Sequence, residues 1–231
     1  MRNNFPGSSS KKAVTSPLQA PNALIFDMDG VLVDSEPLHK RAKQMAFQEA
    51  GIHFPEQTYD SYKGRPDKTM FHEVLAGRSV EDIAELLHRK HQHFEKIEHE
   101  LQPIPGAVEF VKWAATRYRL ALATSATPRN RAAALKSLGI ADCFESLVDT
   151  ARFERPKPDP DIFQVAMQDL KLKSAECWII EDSLPGVRAG KAAGCIAVGI
   201  TTTFDPASLC AAGADLIVKS FAELRTVLEN V

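Results

Sequence analysis

The sequence predicts an α/β protein, a doubly wound parallel sheet with an α-helical segment inserted after the first strand. Three observations predict it. From Pro105 onward, short and nearly continuous apolar runs alternate with amphipathic helical patterns, as in a parallel sheet covered on both faces. A further apolar run, Ala23-Leu24-Ile25-Phe26, stands far ahead of them and ends abruptly in two acids and a glycine. Between these regions, Pro37 to Leu101 is dominated by helix formers and has no strand-like run.

The elements follow in order. Residues 1–20 hold Arg2, Lys11, Lys12 and a Gly7-Ser8-Ser9-Ser10 cluster but no acid, and lack the apolar core of a secretory signal. A disordered leader is expected there, with an organelle transit peptide as the other reading. Ala23 to Phe26 reads as a buried strand, and Asp27-Met28-Asp29-Gly30 as the turn at its carboxyl edge. That edge is where open parallel sheets bind ligands. Two carboxylates so close repel, and each becomes harder to ionise. A hard, oxygen-seeking cation such as Mg²⁺ relieves this. Alone, the tetrad is a common acidic turn; it becomes informative when partners stand at the ends of other strands.

The insertion carries helix patterns over Lys40–Ala50, Lys68–Leu75 and Ser79–Glu98, and holds all seven histidines, from His39 to His99. Pro103-Ile104-Pro105-Gly106 closes it. Strands are then expected at Arg119–Ala123, Ser146–Val148, Cys177–Ile180, Ile196–Ile200 and Asp215–Val218. Helix starts are legible between them: Thr127 before Pro128, Asp159 before Pro160, and Ser220 with Glu223 as a capping box. Ile162, Phe163, Ala166, Met167 and Leu170 share a helix face suited to burial. The expected division is a leader over 1–20, a sheet core from 21–36 and 103–231, and a helical insertion over 37–102.

Composition removes several function classes. With 231 residues, 44% of them hydrophobic, the chain can bury a substantial core. A formal charge of −2 supplies no basic face for nucleic acid, and no apolar run reaches the length of a membrane span. Removing the leader's three cations leaves 25 basic against 30 acidic residues. Cys143, Cys177, Cys195 and Cys210 include no Cys-x-x-Cys pair, so buried structural thiols in a reducing, cytoplasmic setting are expected. His88 and His91 lie one helical turn apart, but no spacing matches a zinc helix. Gly186-Val-Arg-Ala-Gly190-Lys191 has three residues between its glycines where a nucleotide P-loop has four, and lies within a helix pattern.

Collecting the residues just after each strand gathers one constellation. It holds Asp27 and Asp29, then Thr124 and Ser125, then, beyond a connecting loop, Lys157 within Arg155-Pro156-Lys157-Pro158-Asp159-Pro160, then Glu181, Asp182 and Ser183. Each residue alone has an ordinary explanation as a cap, a turn or a solvated charge. Their coincidence on one edge does not.

This set resembles the haloacid dehalogenase superfamily of phosphatases and phosphomutases, over roughly residues 22 to 220. Its four motifs match Asp27-Met28-Asp29-Gly30-Val31-Leu32-Val33-Asp34, Thr124-Ser125, Lys157-Pro158 and Glu181-Asp182-Ser183-Leu184-Pro185-Gly186. The resemblance implies a Rossmann-like catalytic core with the insertion as a small helical cap, of the subgroup that includes β-phosphoglucomutase and sugar-phosphate phosphatases. It also implies roles. Asp27 is the nucleophile that forms an aspartyl-phosphate, and Asp29 is the acid and then the base, a contribution of ~10²–10⁴-fold. Mg²⁺ is held by Asp27, the Asp29 carbonyl and Asp182. Lys157, Thr124 and Ser125 hold phosphoryl oxygens. Glu181 orients either the metal's water shell or Lys157, and Gly30 permits the turn beneath the phosphate. An acid at position 29 protonates a leaving alkoxide, which a dehalogenase acting on carbon does not need.

Specificity is expected from the cap. Lys63-Gly64-Arg65-Pro66-Asp67-Lys68-Thr69 resembles the family's substrate loop, so Lys63, Arg65 and Lys68 are candidates for substrate contact. His39 and Lys90 match positions that β-phosphoglucomutase uses to couple cap closure to catalysis. The expected function is a Mg²⁺-dependent phosphomonoester hydrolase acting on a small, sugar-like phosphate ester. The alternative is a β-phosphoglucomutase-type phosphomutase; a non-catalytic binding protein on this scaffold is the rival from another class. A monomer with no nucleic-acid or membrane partner is expected.

Overall fold

The computed structural model describes residues 18–62 and 67–231 of the chain. The expected leader therefore lies outside the described residues as far as position 17, and Leu18 already packs against the core. In chain order, β1 (Ala23–Phe26) runs into the acidic turn and the two-residue β2 (Val33–Asp34). Four helices follow: α1 (Glu36–Glu49), α2 (Glu56–Ser61), α3 (Asp67–Val74) and α4 (Val80–Ile97). After β3 (Gln102–Pro103), helices and strands alternate as α5 (Ala107–Ala115), β4 (Arg119–Ala123), α6 (Pro128–Leu138) and β5 (Ser146–Val148). The chain then continues through α7 (Asp161–Leu170), β6 (Cys177–Glu181), α8 (Leu184–Ala192) and β7 (Ile196–Ile200). It ends with α9 (Pro206–Ala212), β8 (Leu216–Val218) and α10 (Phe221–Glu229).

Six strands form one parallel sheet in the order β5-β4-β1-β6-β7-β8. All four side chains of β1 are fully buried, because strand alternation gives each face of the sheet its own helix layer. Leu24 and Phe26 face α5 and α10 through Phe110, Val111, Phe221 and Leu224. Ala23 and Ile25 face α7 through Ile162, Phe163, Ala166 and Met167. Phe26 sits between two rings, meeting Phe110 and Phe144 edge-on at 6.1 Å each. The chain builds outward from β1 to β4 and β5, then returns to build β6, β7 and β8 on the other side. β1 is therefore the switch point, where the carboxyl ends of the strands leave a crevice.

The segment between β2 and β3 has a core of its own. Phe47 of α1, Phe71 of α3 and Leu86 of α4 pack in one cluster, with Phe47 and Phe71 5.1 Å apart. The two chain crossings between this helical unit and the sheet are held together by antiparallel pairing of Val33 with Pro103 and Asp34 with Gln102. Among the described residues, no helix is long and apolar enough to cross a membrane.

Several local expectations need correction. α2 was not legible, being six residues with no apolar stripe. Pro160, not Asp159, caps α7, and Asp159 Oδ1 instead accepts from the Asp161 amide at 3.2 Å. Ser220 does cap α10, but Glu223 accepts from the Lys219 amide, one residue before the cap, so the box is only half made. Asp215 leaves the strand because its carboxylate accepts from the Ala197 amide and pairs with Lys191. Cys177 and Cys195 are buried, and burial pushes their thiols up to about 11 and about 12. Cys143 is half-buried and Cys210 is exposed, so not every thiol is a core residue.

The packing around β1 makes a direct prediction. Phe26→Ala leaves a void between Phe110 and Phe144 and should cost about 3–5 kcal/mol, read as a lower urea midpoint. An unchanged midpoint would mean that this ring does not carry the core.

Candidate active site

The strand ends of the switch point deliver the acidic constellation. The Asp27 amide donates to the Ile180 carbonyl at 3.0 Å, which continues the ladder one residue past β1. The chain then turns tightly, with the Gly30 amide donating to Val33 O at 2.8 Å and the Leu32 amide to Met28 O at 2.8 Å. Gly30 has φ +76°, and a Cβ there would overlap the Asp182 carboxylate. Both facts require glycine.

Lys157 ties three of these strand ends together. Its Nζ donates to Asp27 Oδ1 at 2.6 Å, to Glu181 Oε1 at 2.6 Å and to the Ala123 carbonyl at 3.3 Å. The loop that carries it is proline-rich, and the Lys157–Pro158 peptide is cis. Glu181 is fully buried, and its second oxygen accepts from the Ser183 amide at 3.2 Å and hydroxyl at 2.9 Å. Ser183 Oγ in turn accepts from the Gly186 amide at the start of α8. Gly186 lies against Glu181 so closely that a side chain would overlap its carboxylate. Both oxygens of Glu181 are thus occupied by protein donors, and of the two roles expected for this acid the geometry matches the orienting of Lys157.

Charge crowding governs the site. Asp27 is pushed up to about 7 by burial, opposed by Lys157 and reinforced by Glu181 and Asp29. Burial likewise holds the Asp182 carboxyl well above the usual range, with Glu181 and Asp27 adding to it and a hydrogen bond from Thr203 opposing it. Asp29 is also raised by burial, against a hydrogen bond from Ser35 and the charges of Lys157 and Lys90. In Lys157, burial is outweighed by Asp27 and Glu181, so its pKa is raised and the ammonium is held charged. Oxygens of Asp27, Glu181 and Asp182 lie within 4.8 Å of one another, a buried group able to hold a metal ion. An all-carboxylate donor set at this spacing suits a hard divalent cation. With Glu181 occupied, Asp27 and Asp182 are the carboxylates able to hold it.

These groups open into a cavity of about 780 Å³ between the sheet edge and helices α1 and α4. Asp27, Asp29, Gly30, Ser125, Lys157 and Asp182 line it from the core. Thr124, expected to hold phosphate, is fully buried and does not line the cavity; its Oγ1 accepts from the Ala126 amide at 3.0 Å. His39 and Lys90 line the cavity from the helical side, with Lys90 Nζ 3.1 Å from His39 Nδ1 and the His39 ring stacked on Phe94 at 4.3 Å. Lys63 and Arg65 lie outside the described residues. Lys68 is exposed on α3 and does not line the cavity.

Four residues were missed by sequence reasoning. Thr202 donates to the Gly30 carbonyl and Thr203 to Asp182, so the loop after β7 braces the acidic turn. The only signal was three threonines after a strand. Lys43 and Asp67 enter the cavity wall as an ion pair at 2.8 Å. No local pattern marks that pair, since 24 positions of the numbered sequence separate them.

Comparison with known proteins places the chain in a family. The family model for haloacid dehalogenase-like hydrolases matches residues 24–200. The chain is 32% identical over 216 residues to a phosphorylated carbohydrates phosphatase of Thermotoga maritima, across 90% of this chain and 99% of that protein. It is 31% identical over 212 residues to the β-phosphoglucomutase of Bacillus subtilis, across 87% of this chain and 91% of that protein. Among solved structures, CbbY from Rhodobacter sphaeroides in complex with phosphate is similar with a TM-score of 0.76 and 27% identity, across 90% and 99% of the two chains.

The raised carboxyls fix a pH dependence. An acid whose pKa is higher folded than unfolded stabilises the fold below its unfolded value, here 3.8, and that stability is lost as pH rises through about 7. A divalent cation binds the deprotonated carboxylates and restores what is lost. The rise in Tm on adding Mg²⁺ should therefore be larger at ~pH 8 than at ~pH 5.5. A rise that is independent of pH would contradict the assignment of Asp27 and Asp182 to the ion.

Proposed function

The chain belongs to the haloacid dehalogenase-like hydrolases, and from that premise we propose a Mg²⁺-dependent phosphomonoester hydrolase that acts on a small, sugar-like phosphate through an aspartyl-phosphate. The observation that carries this reading is the Lys157 bridge, 2.6 Å from both Asp27 and Glu181 in the wall of the cavity. It sets a cation beside a buried carboxylate, as transfer of an anionic group to that carboxylate requires.

In this reading, an Asp27 carboxylate oxygen attacks phosphorus and the bond to the leaving oxygen breaks. Asp29 gives its proton to that oxygen; its raised pKa keeps the acid form available. Asp29 then takes a proton from the water that attacks the phosphoryl group, which releases phosphate and regenerates Asp27. Lys157 and the Ser125 hydroxyl, which both line the pocket, hold phosphoryl oxygens as charge gathers on them, while Thr124 lies behind that lining and supports the turn. Mg²⁺, when bound by Asp27 and Asp182, supplies positive charge between an anionic nucleophile and an anionic substrate. The helical cap, over 37–102, covers the site and keeps bulk water from the intermediate. The relatives include both a carbohydrate-phosphate phosphatase and a phosphoglucomutase. A cavity of this size favours a small phosphorylated sugar for either.

A panel of small phosphate esters scored for phosphate release tests the reading. An anomeric sugar phosphate scored for isomerisation tests the mutase. Net phosphate release supports hydrolysis; isomerisation without release overturns it. Asp27→Asn should reduce turnover to background while the fold survives, and substantial residual activity would contradict a nucleophile at that position. Thr203→Ala should weaken Mg²⁺ binding, measured by titration calorimetry, by ~10–100-fold, since partners of a ligand tune its affinity. Thr203→Ser should retain the affinity.

A further inference from the structure

Two lysines on the cap share one carboxylate. Lys43 Nζ lies 2.8 Å from Asp67 Oδ1, and Lys90 Nζ lies 2.6 Å from Asp67 Oδ2. Both lysines are nearly inaccessible, 6% and 2% exposed, and both belong to the cavity wall that faces Asp27. Their charges hold the Asp67 carboxyl far down, against the effect of its burial, so it stays ionised. The wall's remaining charges are acidic. Glu36 accepts from the Tyr59 hydroxyl, and Glu95 and Glu98 meet Arg129 of α6 at 3.1 and 2.9 Å. Among the described residues, this cap wall thus presents two lysines and four carboxylates.

A second phosphate pressed against this wall would be a buried dianion with no surplus cation among the described residues to receive it. Hydroxyl groups face no such penalty. His88, His91 and Gln92 of α4 line the cavity together with Ser125, Thr127 and Asn130, and each of these side chains can hydrogen-bond a hydroxyl.

Resting on the phosphatase reading above, we propose that Asp67 is a specificity-determining residue that neutralises Lys43 and Lys90, so that the site accepts sugar monophosphates with an uncharged, hydroxyl-bearing end and rejects bisphosphates. Asp67 selects by cancelling charge at the far end of the substrate and has no part in the bond-breaking step. The consequence reaches the choice of reaction, because a mutase that exchanges its phosphoryl group between two hydroxyls must hold a bisphosphate in this cavity.

The test compares kcat/KM for a hexose monophosphate and the bisphosphate of the same hexose in the full-length enzyme. The wild type should prefer the monophosphate by about tenfold or more. Asp67→Asn keeps the side chain's shape but removes its charge, and should move that ratio toward the bisphosphate by about tenfold, mainly through KM. Lys43→Gln, which removes a cation from the same pair, should move the ratio the opposite way. Opposed shifts cannot arise from general loosening of the cap. A wild type that favours the bisphosphate, or a ratio unmoved by either substitution, overturns the proposal. Failure to hydrolyse any phosphate ester would instead sink the phosphatase reading beneath it.

Discussion

The site depends on one ammonium group placed between two buried carboxylates. Lys157 reaches Asp27 and Glu181 at the same 2.6 Å, and Asp182 completes a set of three acids whose oxygens lie within 4.8 Å of one another. Left alone, such a group would protonate or push its strands apart. Lys157 offsets part of the repulsion, and the rest falls on Asp27 and Asp182, whose pKa values rise. That residual strain makes the pair receptive to a divalent cation. The same crowding that weakens the metal-free protein at neutral pH prepares it to bind.

The fold makes this crowding possible. β1 lies between β4 and β6, so the chain ends of three adjacent strands converge on one crevice. Full burial of β1 by helices on both faces fixes where Asp27 emerges. Gly30 and Gly186 then allow Asp182 and Glu181 to approach backbone that any larger residue would block. The cap carries a second charge cluster with the opposite arrangement, two lysines around one acid. The pairing of β2 with β3 joins the two halves. Under the proposed function, phosphate chemistry belongs to the core and discrimination of the substrate's other end to the cap.

Much of this was legible in the sequence because strand ends are local signals. Asp27, Asp29, Glu181 and Asp182 each follow an apolar run, Lys157 follows one after a connecting loop, and a parallel sheet brings strand ends to one edge. The five strands expected after the insertion all occur, within a residue at their ends. What was not legible depends on contacts between distant segments. Asp67 looked like one more polar loop residue until the fold placed it between α1 and α4. Thr203 gave no sign of reaching Asp182. The short α2 and the displaced cap of α7 failed for a different reason, since six residues or one misplaced proline carry too little periodicity to read.

The claim at the centre is that the phosphoryl group passes through Asp27 on its way to water. Stopping the enzyme with acid during turnover and mapping the phosphoryl mass onto peptides tests it most directly. The account predicts the label on the peptide carrying Asp27, appearing before phosphate accumulates and disappearing when substrate is exhausted. A label on any other residue, or none while the enzyme is turning over, would contradict it.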